Sequence, residues 1–168
     1  MYAFALMPNH VHILIRTLNM KLSTFMRRLL IGYAVYFNRR HKRCGHFFQN
    51  RYKSIVVDED AYLLELIRYI HLNSLRSGIV TDLTTLSSWP FSGYSALAGN
   101  AKQSWLETEA TLSYFSTDPS VARRKLAEFM HDGIFRGKRP EFTGGGLKRS
   151  MLAASNQARQ ERKAYDYR

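Results

Sequence analysis

Two histidines, His10 and His12, stand one residue apart in the apolar run MPNHVHILI, residues 7–15. In a strand, residues i and i+2 share a face. Both imidazoles therefore project together, while Val11, Ile13 and Ile15 face the opposite way, toward a core. Two neutral imidazoles side by side make half of a metal site. They also suit two partly exposed histidines on a sheet face, and H-x-H alone does not choose between the two. Tyr69 and Asn73 form a second pair. Four residues apart on a helix, they lie one above the other, along the edge of a stripe of Leu63, Leu66, Ile67 and Ile70 set by ~100° per residue. Such an edge can bring a phenol oxygen and an amide oxygen to one spot on a neighbouring sheet. A packed tyrosine with its hydroxyl in water and an asparagine near the helix end fit the same spacing.

The elements that must position these groups follow from periodicity. Residues 2–7 and 10–16 read as two short strands, and Pro8-Asn9 between them is a turn signal, so a hairpin is expected. Leu22, Phe25, Met26, Leu29, Leu30, Tyr33, Tyr36 and Phe37 recur at i, i+3, i+4, i+7, which predicts an amphipathic helix from about 21 to 40. It ends in Arg39-Arg40-His41-Lys42-Arg43, where cations suit the carbonyl end of the dipole. After Gly45, residues 47–57 (FFQNRYKSIVV) read as a third strand. Asp58 can cap a second helix, with Glu59 and Asp60 in its first turn, that runs to Gly78. A short helical stretch follows Trp89-Pro90, and Asp118-Pro119 starts a helix to about His131. Gly144-Gly145-Gly146 is a flexible break before a basic last segment. No internal repeat is found.

The 168 residues are 45% hydrophobic and 13% aromatic, the composition of a globular rather than a disordered chain. No apolar run reaches the ~20 residues of a membrane span, and no signal peptide opens the chain, so no membrane partner is expected. One cysteine, Cys44, excludes an intramolecular disulfide framework and a cysteine-based zinc site, and fits a cytoplasmic protein. The net charge of +12 points to a polyanion. Residues 1–80 hold 12 Lys/Arg against 4 Asp/Glu and the rest 13 against 9, so the bias is stronger early. Charge names a class of partner but no activity.

Four segments then occur in one order: MPNHVHILI, GHFFQNRYKSIVVDEDAYLLEL, RYIHLNSLRSGIV and WPFSGYSAL. Together, over residues 1 to about 98, they resemble the single-tyrosine HUH transposases, in particular the REP-associated tyrosine transposase group. HUH denotes His, a hydrophobic residue, then His, present as His10-Val11-His12. The family's Tyr-Ile-x-x-Asn segment is Tyr69-Ile70-His71-Leu72-Asn73. The resemblance implies that Tyr69 is the nucleophile and that Asn73 completes a metal site with His10 and His12. Ser74 stands where proline is common in the family, a change expected to alter only the helix exit. The implied fold is α+β, an antiparallel sheet with helices packed on it, ferredoxin-like or RRM-like. Family members usually have a strand and a helix ahead of the HUH strand, so a core lacking that first strand and helix is expected over 1–98. A helical, basic extension is expected over 99–168.

The implied chemistry is metal-dependent cleavage and rejoining of single-stranded DNA, beside hairpins or repeats, through a 5′-phosphotyrosine link. With no thiolate or carboxylate ligand, the set suits Mg²⁺ or Mn²⁺. Because the link keeps the phosphodiester's bond energy, no nucleotide cofactor is needed, and the chain has no G-x-x-x-x-G-K-[ST] loop. Arg39, Arg40, Lys42, Arg43, Arg51 and Lys53 are candidates for the phosphates, and Phe47, Phe48 and Tyr52 for stacking on bases. Relatives often act as homodimers. A catalytically silent nucleic-acid-binding remnant, which keeps the charge but not the cleavage, is the alternative, and a generic RNA-binding sheet domain ranks behind it.

Overall fold

A computed structural model of the chain describes residues 1–57 and 60–137. Among them the order is β1 (Ala3–Leu6), β2 (Val11–Leu14), α1 (Leu22–Arg40), α2 (Asp60–Arg76), α3 (Leu83–Ser88), α4 (Tyr94–Leu97), α5 (Thr108–Ser113) and α6 (Pro119–Asp132). The class is α+β, with helices packed on an antiparallel two-stranded sheet. Asp58, Glu59, the Gly144–Gly146 break and the last segment lie outside the described residues. The chain divides into two compact units, Arg16–Ser54 and the remainder. The expected boundary after residue 98 falls inside the larger unit. There the Glu107 N–H donates to the Met1 carbonyl at 2.7 Å, and Arg68 of α2 donates to the Phe129 carbonyl of α6 at 3.1 Å.

In the larger unit Ala3 pairs with Leu14, Phe4 with Ile13, Ala5 with His12 and Leu6 with Val11. The Met7 N–H donates to the His10 carbonyl at 2.9 Å and closes the hairpin over Pro8-Asn9. The other edge of β1 meets residues 91–93, with Leu6 N–H donating to Phe91 and Gly93 N–H to Phe4. Helix α2 packs on β1, where Ala3 and Ala5 are wholly buried. Their small side chains let the helix backbone approach the sheet closely.

This packing reverses one expectation. Ala5 and His12 share a face, and the His12 ring meets Tyr69 of α2, so the histidine face is the one turned toward the helix. On the opposite face Val11 is 38% exposed beside Leu6 at 44%, and Ile13 and Ile15 are only half-buried. Helix α2 also sits deeper than a stripe of Leu63, Leu66, Ile67 and Ile70 implies. Leu63 and Leu66 are half-buried, whereas Arg68, Tyr69, His71, Leu72 and Ser74 are buried along with Ile67 and Ile70. The helix is covered on more than one side, because α3 and α6 pack on it as well as β1. Arg68 tolerates burial because it pairs with Glu65 and lies 4.1 Å over the Phe129 ring, besides its bond to Phe129. Gly133 makes room for it, since a Cβ there would overlap Arg68 Cδ.

Residues Arg16–Ser54 are organised around α1, whose limits match the periodicity. The third strand expected over 47–57 is absent. Phe47 instead packs on Tyr33 and Phe37, with ring centroids 5.2 and 4.4 Å away, and Phe48 packs on Phe47 at 4.9 Å. The aromatic pair that reads as strand sequence buries its surface on a helix, so no ladder forms. Helix α1 ends in a Schellman turn: Arg43 N–H donates to Asn38 and Lys42 N–H to Arg39, with Lys42 at φ 51° in the left-handed position. Helix α6 begins as expected, with Asp118 accepting from the Val121 N–H at 2.8 Å and Pro119 in first position.

Candidate metal and nucleophile site

The hairpin brings the two imidazoles tip to tip, with His10 Nε2 and His12 Nε2 3.2 Å apart and rings nearly perpendicular at 84°. His10 lies in the tight turn just before β2 and His12 within it. His10 Nδ1 donates to Asn9 Oδ1 at 2.6 Å. That bond places the proton on Nδ1 and leaves the Nε2 lone pair facing His12. Asn9 therefore orients the first imidazole, a task the sequence reading did not assign. Its signal was available, because a ligating histidine usually donates its other N–H to a neighbouring acceptor. Burial, and after it the charge of neighbouring His10, lowers the His12 pKa below the ordinary imidazole value. A neutral His12 keeps a lone pair available.

The separation of the nitrogens tests whether a cation fits between them. Two nitrogens bound to one ion at about 2.1 Å lie about 3.0 Å apart at a right angle and about 3.4 Å apart at the tetrahedral angle. The observed 3.2 Å falls between these values. Among the described residues no group of three His, Cys, Asp or Glu side chains could hold a metal.

Tyr69 comes to the same hairpin from α2. Its ring meets the His12 ring edge-on, with centroids 6.1 Å apart and planes at 80°. The Arg76 guanidinium carbon lies 5.5 Å from its ring centroid, and the residue is 6% exposed. Asn73, four residues further on, is half-buried, and its Nδ2 is buried without a hydrogen-bond partner. Turning the amide over would put its oxygen where that orphaned nitrogen sits. Ser74 is buried beside it, its Oγ donating to the Met7 Sδ of the hairpin turn at 4.0 Å. Helix α2 continues through Ser74 to Arg76, and Gly78 at φ 72° follows its end.

His71, which the sequence reading left without a role, is wholly buried, and neither ring nitrogen has a hydrogen-bond partner. Burial alone holds its pKa down to about 3, so it is neutral. A Cβ on Gly93 would come within 3.1 Å of its Nε2, so glycine is what lets the 91–93 segment close on the helix.

The nine nucleic-acid candidates fall in Arg16–Ser54. Arg39, Arg40, Lys42, Arg43, Arg51 and Lys53 are exposed, and Tyr52 is half-buried. Phe47 and Phe48 are half-buried in the ring cluster with Tyr33 and Phe37.

Residues 1–73 match the family model described as transposase, IS200 like. The match contains His10, His12 and Tyr69 and ends on Asn73. Searches of curated proteins and of solved structures gave no match. No helix among the described residues is long and apolar enough to cross a membrane.

Proposed function

We propose that this chain, whose residues 1–73 match the IS200-like transposase family model, cleaves and rejoins single-stranded DNA through Tyr69. One observation carries this reading. Two neighbouring imidazoles and a phenol remote from them in sequence meet at one hairpin, with Nε2 atoms 3.2 Å apart and the tyrosine ring edge-on to His12.

His10, His12 and the Asn73 amide oxygen would hold a divalent cation, Mg²⁺ or Mn²⁺ by the hardness of the donor set. When bound, the cation supplies Lewis-acid polarisation of the scissile phosphate. The protein's own groups do the rest. Asn9 fixes the His10 tautomer, and the His12 lone pair is kept available by burial. The Tyr69 oxygen forms a bond to phosphorus as the bond to the 3′-oxygen breaks. The phenol proton is lost and the 3′-oxygen gains one, leaving a 5′-phosphotyrosine and a free 3′-hydroxyl. Rejoining is the reverse attack by a 3′-hydroxyl, so no nucleotide is consumed. Since Tyr69 is 6% exposed, the reaction requires its oxygen to become accessible to the strand.

The test is a denaturing gel of the chain incubated with end-labelled single-stranded oligonucleotides and Mn²⁺. Wild type is expected to form a covalent adduct that Tyr69→Phe and chelator both abolish. An adduct that survives Tyr69→Phe would refute the assignment. Hairpin binding without an adduct in any metal would favour a silent binding protein.

A further inference from the structure

Helix α1 has two unlike sides. One carries Tyr33, Phe37 and His41, packed with Phe47 and Phe48. The other carries Arg28, Gly32, Val35, Tyr36, Arg39 and Arg40, whose spacing of i, i+4, i+7, i+8, i+11, i+12 makes one stripe. All six are exposed. Tyr36 is 62% exposed, and its ring has no ring or hydrogen-bond partner among the described residues. Around it lies an open groove lined by Gly32, Val35, Tyr36, Arg39 and Arg40. Nothing stands within 4 Å of where a Gly32 Cβ would be. Glycine inside a helix costs about 1 kcal/mol relative to alanine, and here it leaves clear space one turn from the tyrosine ring.

The charge says what covers this face. Arg16–Ser54 contains ten Lys/Arg and no Asp/Glu, so it carries +10 of the chain's +12. A second copy seated face to face would oppose these cations with cations, and no acid within the unit could offset them. A polyanion meets the same surface favourably. An exposed ring between arginines suits an unpaired base, because a duplex keeps its bases stacked on one another.

We propose that this face of α1 is a base-stacking subsite for single-stranded nucleic acid. A base lies on the Tyr36 ring in the space left by Gly32. Arg39 and Arg40 bind the flanking phosphates on one side, and Arg28 reaches the strand two turns away, about 12 Å along the axis. The substrate class rests on the proposed function, but the subsite does not depend on Tyr69 chemistry.

The experiment is fluorescence anisotropy with single-stranded and duplex oligonucleotides of equal length. It uses the full chain carrying Tyr69→Phe, in EDTA, so that neither cleavage nor metal contributes. Tyr36→Ala is expected to weaken single-strand binding about tenfold, with duplex binding and the melting temperature unchanged, and Tyr36→Phe to bind like its parent. Arg39→Ala with Arg40→Ala is expected to flatten the dependence of log K on log salt by about 1.4, whereas Tyr36→Ala leaves that slope intact. Parental affinity in Tyr36→Ala, equal losses on duplex and single strand, or no single-strand binding at all would overturn the subsite. So would a fall in sedimented mass with Tyr36→Ala, which would make the face an interface between copies. Loss of the Tyr36 effect with the covalent adduct intact removes only this inference. Loss of the adduct with the Tyr36 effect intact removes only the proposed function.

Discussion

Residues Arg16–Ser54 bury one side chain, Met26, and carry ten cations with no acid. Between Ile67 and Ser74, by contrast, α2 buries seven residues of eight, and the histidine hairpin lies over that stretch. On the proposed function the two regions would solve different problems. Reacting groups must be held to fractions of an ångström, which close packing on Ala3, Ala5 and Gly93 provides. A flexible polyanion needs accessible charge and flat side chains instead, and these tolerate loose packing. The comparison predicts that substitutions in the two regions will separate chemistry and stability from affinity.

The largest effect is expected at the hairpin. His12→Ala should lower cleavage at least about a hundredfold, since even outer partners of metal ligands cost 10–100-fold, while single-strand affinity measured in EDTA stays unchanged. Equal losses of cleavage and affinity would erase the distinction. Next, Leu72→Ala should destabilise the chain by about 3 kcal/mol, because Leu72 is wholly buried. Val35→Ala on the exposed face of α1 should stay within about 0.5 kcal/mol. Urea denaturation reads both, and a large loss at Val35 would mean that this face is covered in solution.

A third, somewhat smaller effect follows from His71. Unfolded, an imidazole titrates near about 6.5, whereas burial holds the folded group down to about 3. Stability from this residue is therefore complete above about pH 6.5 and is lost as pH falls toward 3, because only the unfolded chain takes up the proton. Between pH 7 and pH 5 the loss is about 2 kcal/mol. His71→Leu should remove that part of the pH dependence, and an unchanged profile would contradict the burial described.

Much of this division was legible in the sequence. The Pro8-Asn9 turn, the 3.6-residue period of α1 and the Asp118-Pro119 start all appear where local rules put them. Local pattern failed where tertiary contacts decide. Residues 47–57 have strand composition, yet Phe47 and Phe48 dock on α1, and no local rule distinguishes the two uses of an aromatic pair. The depth of α2 was hidden for a related reason. A helical stripe predicts one covered face, and His71 and Arg68 are buried by elements packed on the others. At the candidate site, His10 and His12 stood out by type and spacing, Tyr69 was singled out by the family resemblance rather than by spacing, and Asn9 needed the turn geometry. Tyr36 was counted as one more apolar position of α1. The glycine one turn before it, the arginine one turn after it and the absence of acid over 16–54 were the signals that set it apart.

The most direct test of the central claim is to locate the covalent bond. Trypsin cuts after Arg68 and Arg76, so Tyr69 travels in the peptide YIHLNSLR. After incubation with single-stranded DNA and Mn²⁺, nuclease trimming and digestion, mass spectrometry should find this peptide carrying a 5′-linked nucleotide on its tyrosine. An adduct with this peptide unmodified, or with the nucleotide on another tyrosine, would contradict the account.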